Sequence, residues 1–163
     1  MPVKKLLFLA FLISTVAFAY ADAFEKPAAL AGRKEVKAAF DFTEGSARVL
    51  LTKLETVDET RRSLLAQGIR PRLVLAFRGG ATRLVQTDPE MIRDEDREIA
   101  ARIEKKIAEL ARSEGVEALE QCAVAIRLQG TSAEKVLPGI KVVENGWISL
   151  MALQARGYAY IYP

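Results

Sequence analysis

The chain has no histidine, a single cysteine and almost no excess of charge of either sign. Without histidine there is no Ser-His-Asp or Cys-His catalysis, no histidine metal ligand and no histidine pH switch. With Cys122 alone there is no disulfide within the chain; the thiol is buried and inert, paired between chains, or reactive. Lys4 and Lys5 account for most of the formal charge of +3, and apart from them basic and acidic residues nearly balance. A pI of about 9.1 therefore points to neither nucleic acid nor an anionic membrane as partner. Also missing are the GxxxxGKS/T and GxGxxG phosphate-binding patterns, any internal repeat, and any low-complexity segment. Beyond the first 23 residues no apolar run is long enough to cross a bilayer. The residue pattern calls for no metal and no cofactor.

What is present fits one packed domain. The 163 residues are half apolar and 28% charged, a balance that suits a core rather than disorder. Residues 1–23 have the three parts of a secretory signal peptide. Lys4 and Lys5 form a basic start, Leu6 to Phe18 an apolar stretch interrupted by Ser14 and Thr15, and small residues follow at the sites a signal peptidase reads. Cleavage is expected after Ala21 or Ala23, leaving an irregular leader at 24–34 and a domain at 35–163.

In that domain strand and helix signals alternate. Val36–Phe42 reads as a first strand, with turn chemistry at Thr43–Ser46 and a helix over Ala47–Ala66 that Gly68 stops. Leu50, Leu54, Val57 and Leu64 or Leu65 mark its buried stripe. Arg72–Phe77 contains a continuous apolar run, as in a strand buried on both faces. A loop at Arg78–Ala81 and a helix over about Asp94–Ser113 follow, then a third strand, Val116–Gln121, with Cys122 at its end. A helix at Ala123–Gln129, a turn at Leu137–Gly139, a strand at Ile140–Val143, a helix capped by Asn145 and a last strand at Tyr158–Tyr162 complete the chain. In the last helix Trp147, Leu150, Met151 and Gln154 are expected along the inner edge. The order implies an α/β fold, a mainly parallel sheet of about five strands with helices on both faces, and a site beyond the strand C-termini.

Cys122 is the sharpest candidate there. Backbone N–H groups and a helix dipole at a strand-to-helix junction favour negative charge on sulfur, the form that attacks sulfur and carries it as persulfide. The alternative is a small buried hydrophobe, in keeping with neighbouring Ala123, Val124 and Ala125. Arg78, Gly79 and Gly80 form a loop able to present guanidinium and N–H groups to an anion, or simply a turn that needs glycine. Asp41 and Glu44 bring two carboxylates to another strand end, for acid–base chemistry or for turn and cap bonds. Trp147 is core or a subunit contact, and Tyr158, Tyr160 and Tyr162 share one side of the last strand.

Several segments together resemble exported proteins of the DsrE/DsrF-like family. They are Asp41-Phe42-Thr43-Glu44-Gly45, Gly115-Val116-Glu117 followed by Cys122, Leu137 to Gly146, and the ending Gln154 to Pro163. The resemblance implies a three-layer α/β fold over residues 35–163, a homo-oligomer, a periplasmic location, and a sulfur carrier or sulfurtransferase that exchanges sulfane sulfur with a donor or acceptor protein. It carries Cys122 over as the sulfur acceptor. Where many relatives have histidine after the second strand, this chain has Arg78. A non-catalytic oligomeric interaction or small-anion-binding module with a structural cysteine is the competing expectation, and a hydrolase built on the carboxylates is a third.

Overall fold

The computed structural model describes residues 27–163, so the expected signal segment at 1–23 lies outside the described residues. Residues 27–33 contain one 3-10 turn, Ala28–Leu30. Five strands and four α-helices follow among the described residues: β1 (Glu35–Phe42), α1 (Ala47–Ala66), β2 (Arg70–Phe77), α2 (Arg97–Leu110), β3 (Val116–Cys122), α3 (Ala123–Leu128), β4 (Lys141–Val143), α4 (Gly146–Ala155) and β5 (Ala159–Ile161). Every pairing is parallel, in the order β4-β3-β2-β1-β5. The chain thus steps outward from β1 to β4 and returns for β5 on the far side of β1. The expected α/β architecture is the observed one.

Helix α1 starts where Ser46 Oγ accepts the Val49 N–H and ends before Gly68, whose φ of 71° suits glycine. Of its buried stripe, Leu50, Leu51, Leu54 and Val57 pack with Ile103, Ile107 and Leu110 of α2 on one face of the sheet. There Phe42 and Phe77 stack with ring centroids 5.4 Å apart. The other face holds the small residues Ala39 and Ala76 beside Val74, and α4 lays Leu150 and Leu153 on them. Central β2 is apolar on both sides because both sides are covered.

Two expectations need correction. The second helix is shorter than the periodicity suggests: Asp94–Asp96 form a 3-10 turn, tied by Arg93 to Asp96, before α2 begins at Arg97. In α4 the inner edge is Leu150 and Leu153, whereas Trp147 and Met151 point outward with 64% and 61% exposure and Gln154 is exposed as well. The helix is apolar nearly all round, so its sequence carries little phase information.

A bulge sits in β3, where Leu73 pairs with Val116 and Val74 with Ala118, leaving Glu117 as the extra residue. Arg72 and the Tyr158 hydroxyl both donate to the Glu117 carboxylate. Burial pushes this carboxyl up, but the bonds from Tyr158 and Arg72 outweigh it and hold the group below its ordinary value of 4.5. A lowered carboxyl stabilises the fold above its unfolded value, and that stabilisation is lost as pH falls through the folded value. Urea midpoints measured from about pH 5.5 down to about pH 3 should therefore fall less steeply in Glu117→Gln than in the parent protein. Identical slopes would remove Glu117 from the acid sensitivity.

Candidate functional site

The C-terminal ends of β1, β2 and β3 bring Asp41, Arg78 and Cys122 to one end of the sheet, where open parallel sheets place their ligands. Cys122, the last residue of β3, is 5% exposed and forms part of the wall of a cleft of about 220 Å³. Arg78, Gly79, Val124, Leu128 and Trp147 are among the other residues that line it.

The thiol accepts the N–H of Gly146 at 3.2 Å. Gly146 is the first residue of α4, so this N–H is one that the helix itself leaves without a partner, and the positive end of the helix faces the sulfur. The donor is not the helix that follows Cys122, as the strand-to-helix reading would have it: the Cys122 side chain makes no cap bond to α3. A methyl group on Gly146 would lie 3.0 Å from Cys122 Cβ and 3.5 Å from Sγ, so glycine is what lets the helix end approach. From below, the buried Gln121 amide donates to the Cys122 carbonyl at 3.1 Å and to Thr82 Oγ1 at 2.9 Å, which fixes the backbone under the thiol.

Arg78 immediately follows β2 and reaches the cleft, but its guanidinium forks onto Asp41, with Nε 2.7 Å from Oδ1 and Nη2 on Oδ2. Asp41 is fully buried. It also accepts the Tyr160 hydroxyl at 2.7 Å. The bond to Asp41 raises the Arg78 guanidinium above its ordinary value, and the same carboxylate raises the Tyr160 hydroxyl. The Trp147 ring covers the guanidinium, 5.7 Å from its centroid. Arg78 thus sits beside the thiol with its charge already balanced.

Gly79 lines the cleft with φ of 55°. Gly80 does not line it. Its N–H is donated to Thr43 O at 3.1 Å, and a Cβ there would fall 2.7 Å from both N and Cα of Gly45. The role expected for Gly80 as an anion donor is therefore replaced by close approach of two loops. Glu44 is likewise engaged, bonded to Lys53 and to the Thr43 N–H. The two carboxylates proposed for acid–base work are each tied to a cation of their own, which leaves no unpaired dyad. The three tyrosine hydroxyls behave as one row, reaching Glu117, Asp41 and Thr43 in turn. Sequence reasoning missed Tyr160, Gly146 and the Arg78–Asp41 link. A carboxylate inside the buried run Ala38–Phe42 was the available signal for the last. Among the described residues no group of three His, Cys, Asp or Glu side chains is placed to hold a metal.

No family model matches the chain. The chain is similar to an uncharacterized protein of Aquifex aeolicus (strain VF5), 25% identical over 126 residues, which is 77% of this chain and 55% of that protein. It thus spans about half the length of this curated relative. The fold is similar to that of a solved protein of unknown function from Methanobacterium thermoautotrophicum, with a TM-score of 0.50 and 22% identity over 79% of this chain and 98% of that one. At that identity the likeness speaks to architecture alone.

Proposed function

We propose that the protein is an exported, DsrE/DsrF-like sulfur carrier that holds sulfane sulfur as a persulfide on Cys122. The observation that carries the reading is the Cys122 thiol in the wall of a cleft, bonded to the first N–H of α4 and flanked by Arg78. In the loading step the Cys122 thiolate attacks the sulfane sulfur of a donor. A bond from Sγ to sulfur forms, the donor's bond to that sulfur breaks, and the electron pair leaves with the donor. The Gly146 N–H and the helix end then face negative charge on the loaded sulfur. A thiol of an acceptor takes the outer sulfur in the reverse sense. Each step is an exchange at sulfur that needs no cofactor, as a sulfur carrier or a sulfurtransferase would perform it. The basic and apolar N-terminal segment supports export, with a periplasmic location drawn from the family resemblance.

Native thiol labelling tests the reading. Methyl methanethiosulfonate should react with Cys122 in the folded protein within minutes, and Gly146→Ala should slow this by about tenfold, because small misplacement at a reacting atom is costly. Reaction only after denaturation would make the cysteine structural.

A second reading has its own observation. Trp147, Ile148 and Met151 form an exposed apolar face on α4, 64%, 57% and 61% exposed. Such a face suits a subunit interface in a homo-oligomer or the surface of a non-catalytic interaction module. Light scattering of the parent and of Ile148→Glu decides the homo-oligomer: a complex reduced to monomer by the substitution supports this face as the contact, and a monomeric parent removes it as a self-contact.

A further inference from the structure

The cleft at Cys122 is poorly made for an anion, although Arg78, Gly79 and a helix end border it. The cation of the cleft and the helix-end donors beside the thiol are already engaged within the protein. The Arg78 guanidinium is forked onto the buried carboxylate of Asp41. The Gly146 N–H is on Cys122 Sγ. The next N–H of α4, that of Trp147, is on Asn145 Oδ1 at 3.0 Å. The Gly80 N–H is on Thr43 O. An anion entering here would lose water, meet the field of Asp41 and gain no unpaired cation in return. The rest of the wall is mostly apolar, from Val124, Ala125, Leu128 and the indole of Trp147, with the uncharged amides of Gln129 and Asn145 beside them. Arg78 is the one charged residue on the lining. At about 220 Å³ the cleft also falls below the roughly 300–1,000 Å³ of sites for drug-sized ligands, which restricts it to small molecules.

Resting on the carrier reading, we infer that the sulfur donor of this site is a small uncharged polysulfane, an organic R–S–S–S–R compound, and not thiosulfate or another sulfur anion. The chemistry balances without an oxidant. The Cys122 thiol releases its proton and its sulfur attacks the central sulfur of the donor. The new bond is Sγ–S, one donor S–S bond breaks, and the electron pair leaves on RS⁻, which takes up a proton. Cys122 then carries –S–S–R. A second thiol attacking the sulfur that bears R gives a mixed disulfide with R and leaves the persulfide on Cys122. The carbon walls hold the R groups, and Trp147 and Leu128 stand where R enters.

The test is a pair of loading rates followed by intact mass, with dimethyl trisulfide and with thiosulfate. Each rate is divided by that of N-acetylcysteine with the same reagent, which removes intrinsic reactivity. The normalised rate should favour the trisulfide by about tenfold or more, the scale on which a missing charge partner acts. Leu128 is 74% exposed, so Leu128→Lys adds a cation at the rim without opening the core. That variant should narrow the gap by about threefold or more, by speeding thiosulfate. A normalised rate for thiosulfate equal to or above that for the trisulfide overturns the inferred donor class while leaving Cys122 a carrier. Loading by neither reagent, nor by inorganic polysulfide, on the folded protein overturns the carrier reading and this inference with it.

Discussion

Arg78→Met is expected to destabilise the protein by about 3–5 kcal/mol, the usual cost of breaking a buried ion pair by removing one partner. The reason lies in Asp41, which is fully buried and keeps only the Tyr160 hydroxyl once the guanidinium is gone. Methionine retains the stem that packs under Trp147, so the loss reports on charge more than on contact area. The double variant Arg78→Met with Asp41→Asn should recover a substantial part of the loss, because it removes the stranded charge. Urea unfolding checks both, with a midpoint shift at constant slope. A loss below about 1 kcal/mol would place the pair with solvent-screened surface bridges and contradict the reading of Asp41 as buried.

Gly80→Val is the second large effect, about 3 kcal/mol, from overpacking between two loops. The new Cβ would lie 2.7 Å from two backbone atoms of Gly45, which cannot yield as a flexible side chain would. Gly130→Ala supplies the contrast. Its φ of 70° favours glycine but nothing lies within 4 Å of the added methyl, so the cost should stay near about 1 kcal/mol. Because Gly80 adjoins Gly79 and Arg78, Gly80→Val should also disturb the cleft and slow thiol labelling. Equal destabilisation by the two substitutions would mean that the loops do not meet as closely as the structure has them.

The sheet was largely legible in the chain because strand signals and turn residues coincide. The apolar run Leu73–Phe77 announces a central strand, Gly68 and Gly157 mark helix ends, and Ser46 and Asn145 act as caps. The phase of α4 was not legible, since apolar residues occupy all its sides and only the sheet decides which are buried. The site was legible in membership and not in wiring. Arg78 and Cys122 do share a cleft, but the partner of Arg78 lies 37 residues earlier and the partner of the thiol 24 residues later. Such pairings depend on strand order, which the chain expresses only through the sheet. That is why the loop read as an anion cradle proves to have its guanidinium on Asp41 and its Gly80 N–H on Thr43.

The most direct measurement of the central claim is intact mass spectrometry of the folded protein after incubation with polysulfide, or with dimethyl trisulfide followed by a small thiol, beside Cys122→Ser. The account predicts mass gains in steps of one sulfur atom that a reductant removes and that Cys122→Ser never shows. A folded parent protein that takes up no sulfur would contradict it, and would make Cys122 a packing residue whose thiol serves only to seat the start of α4.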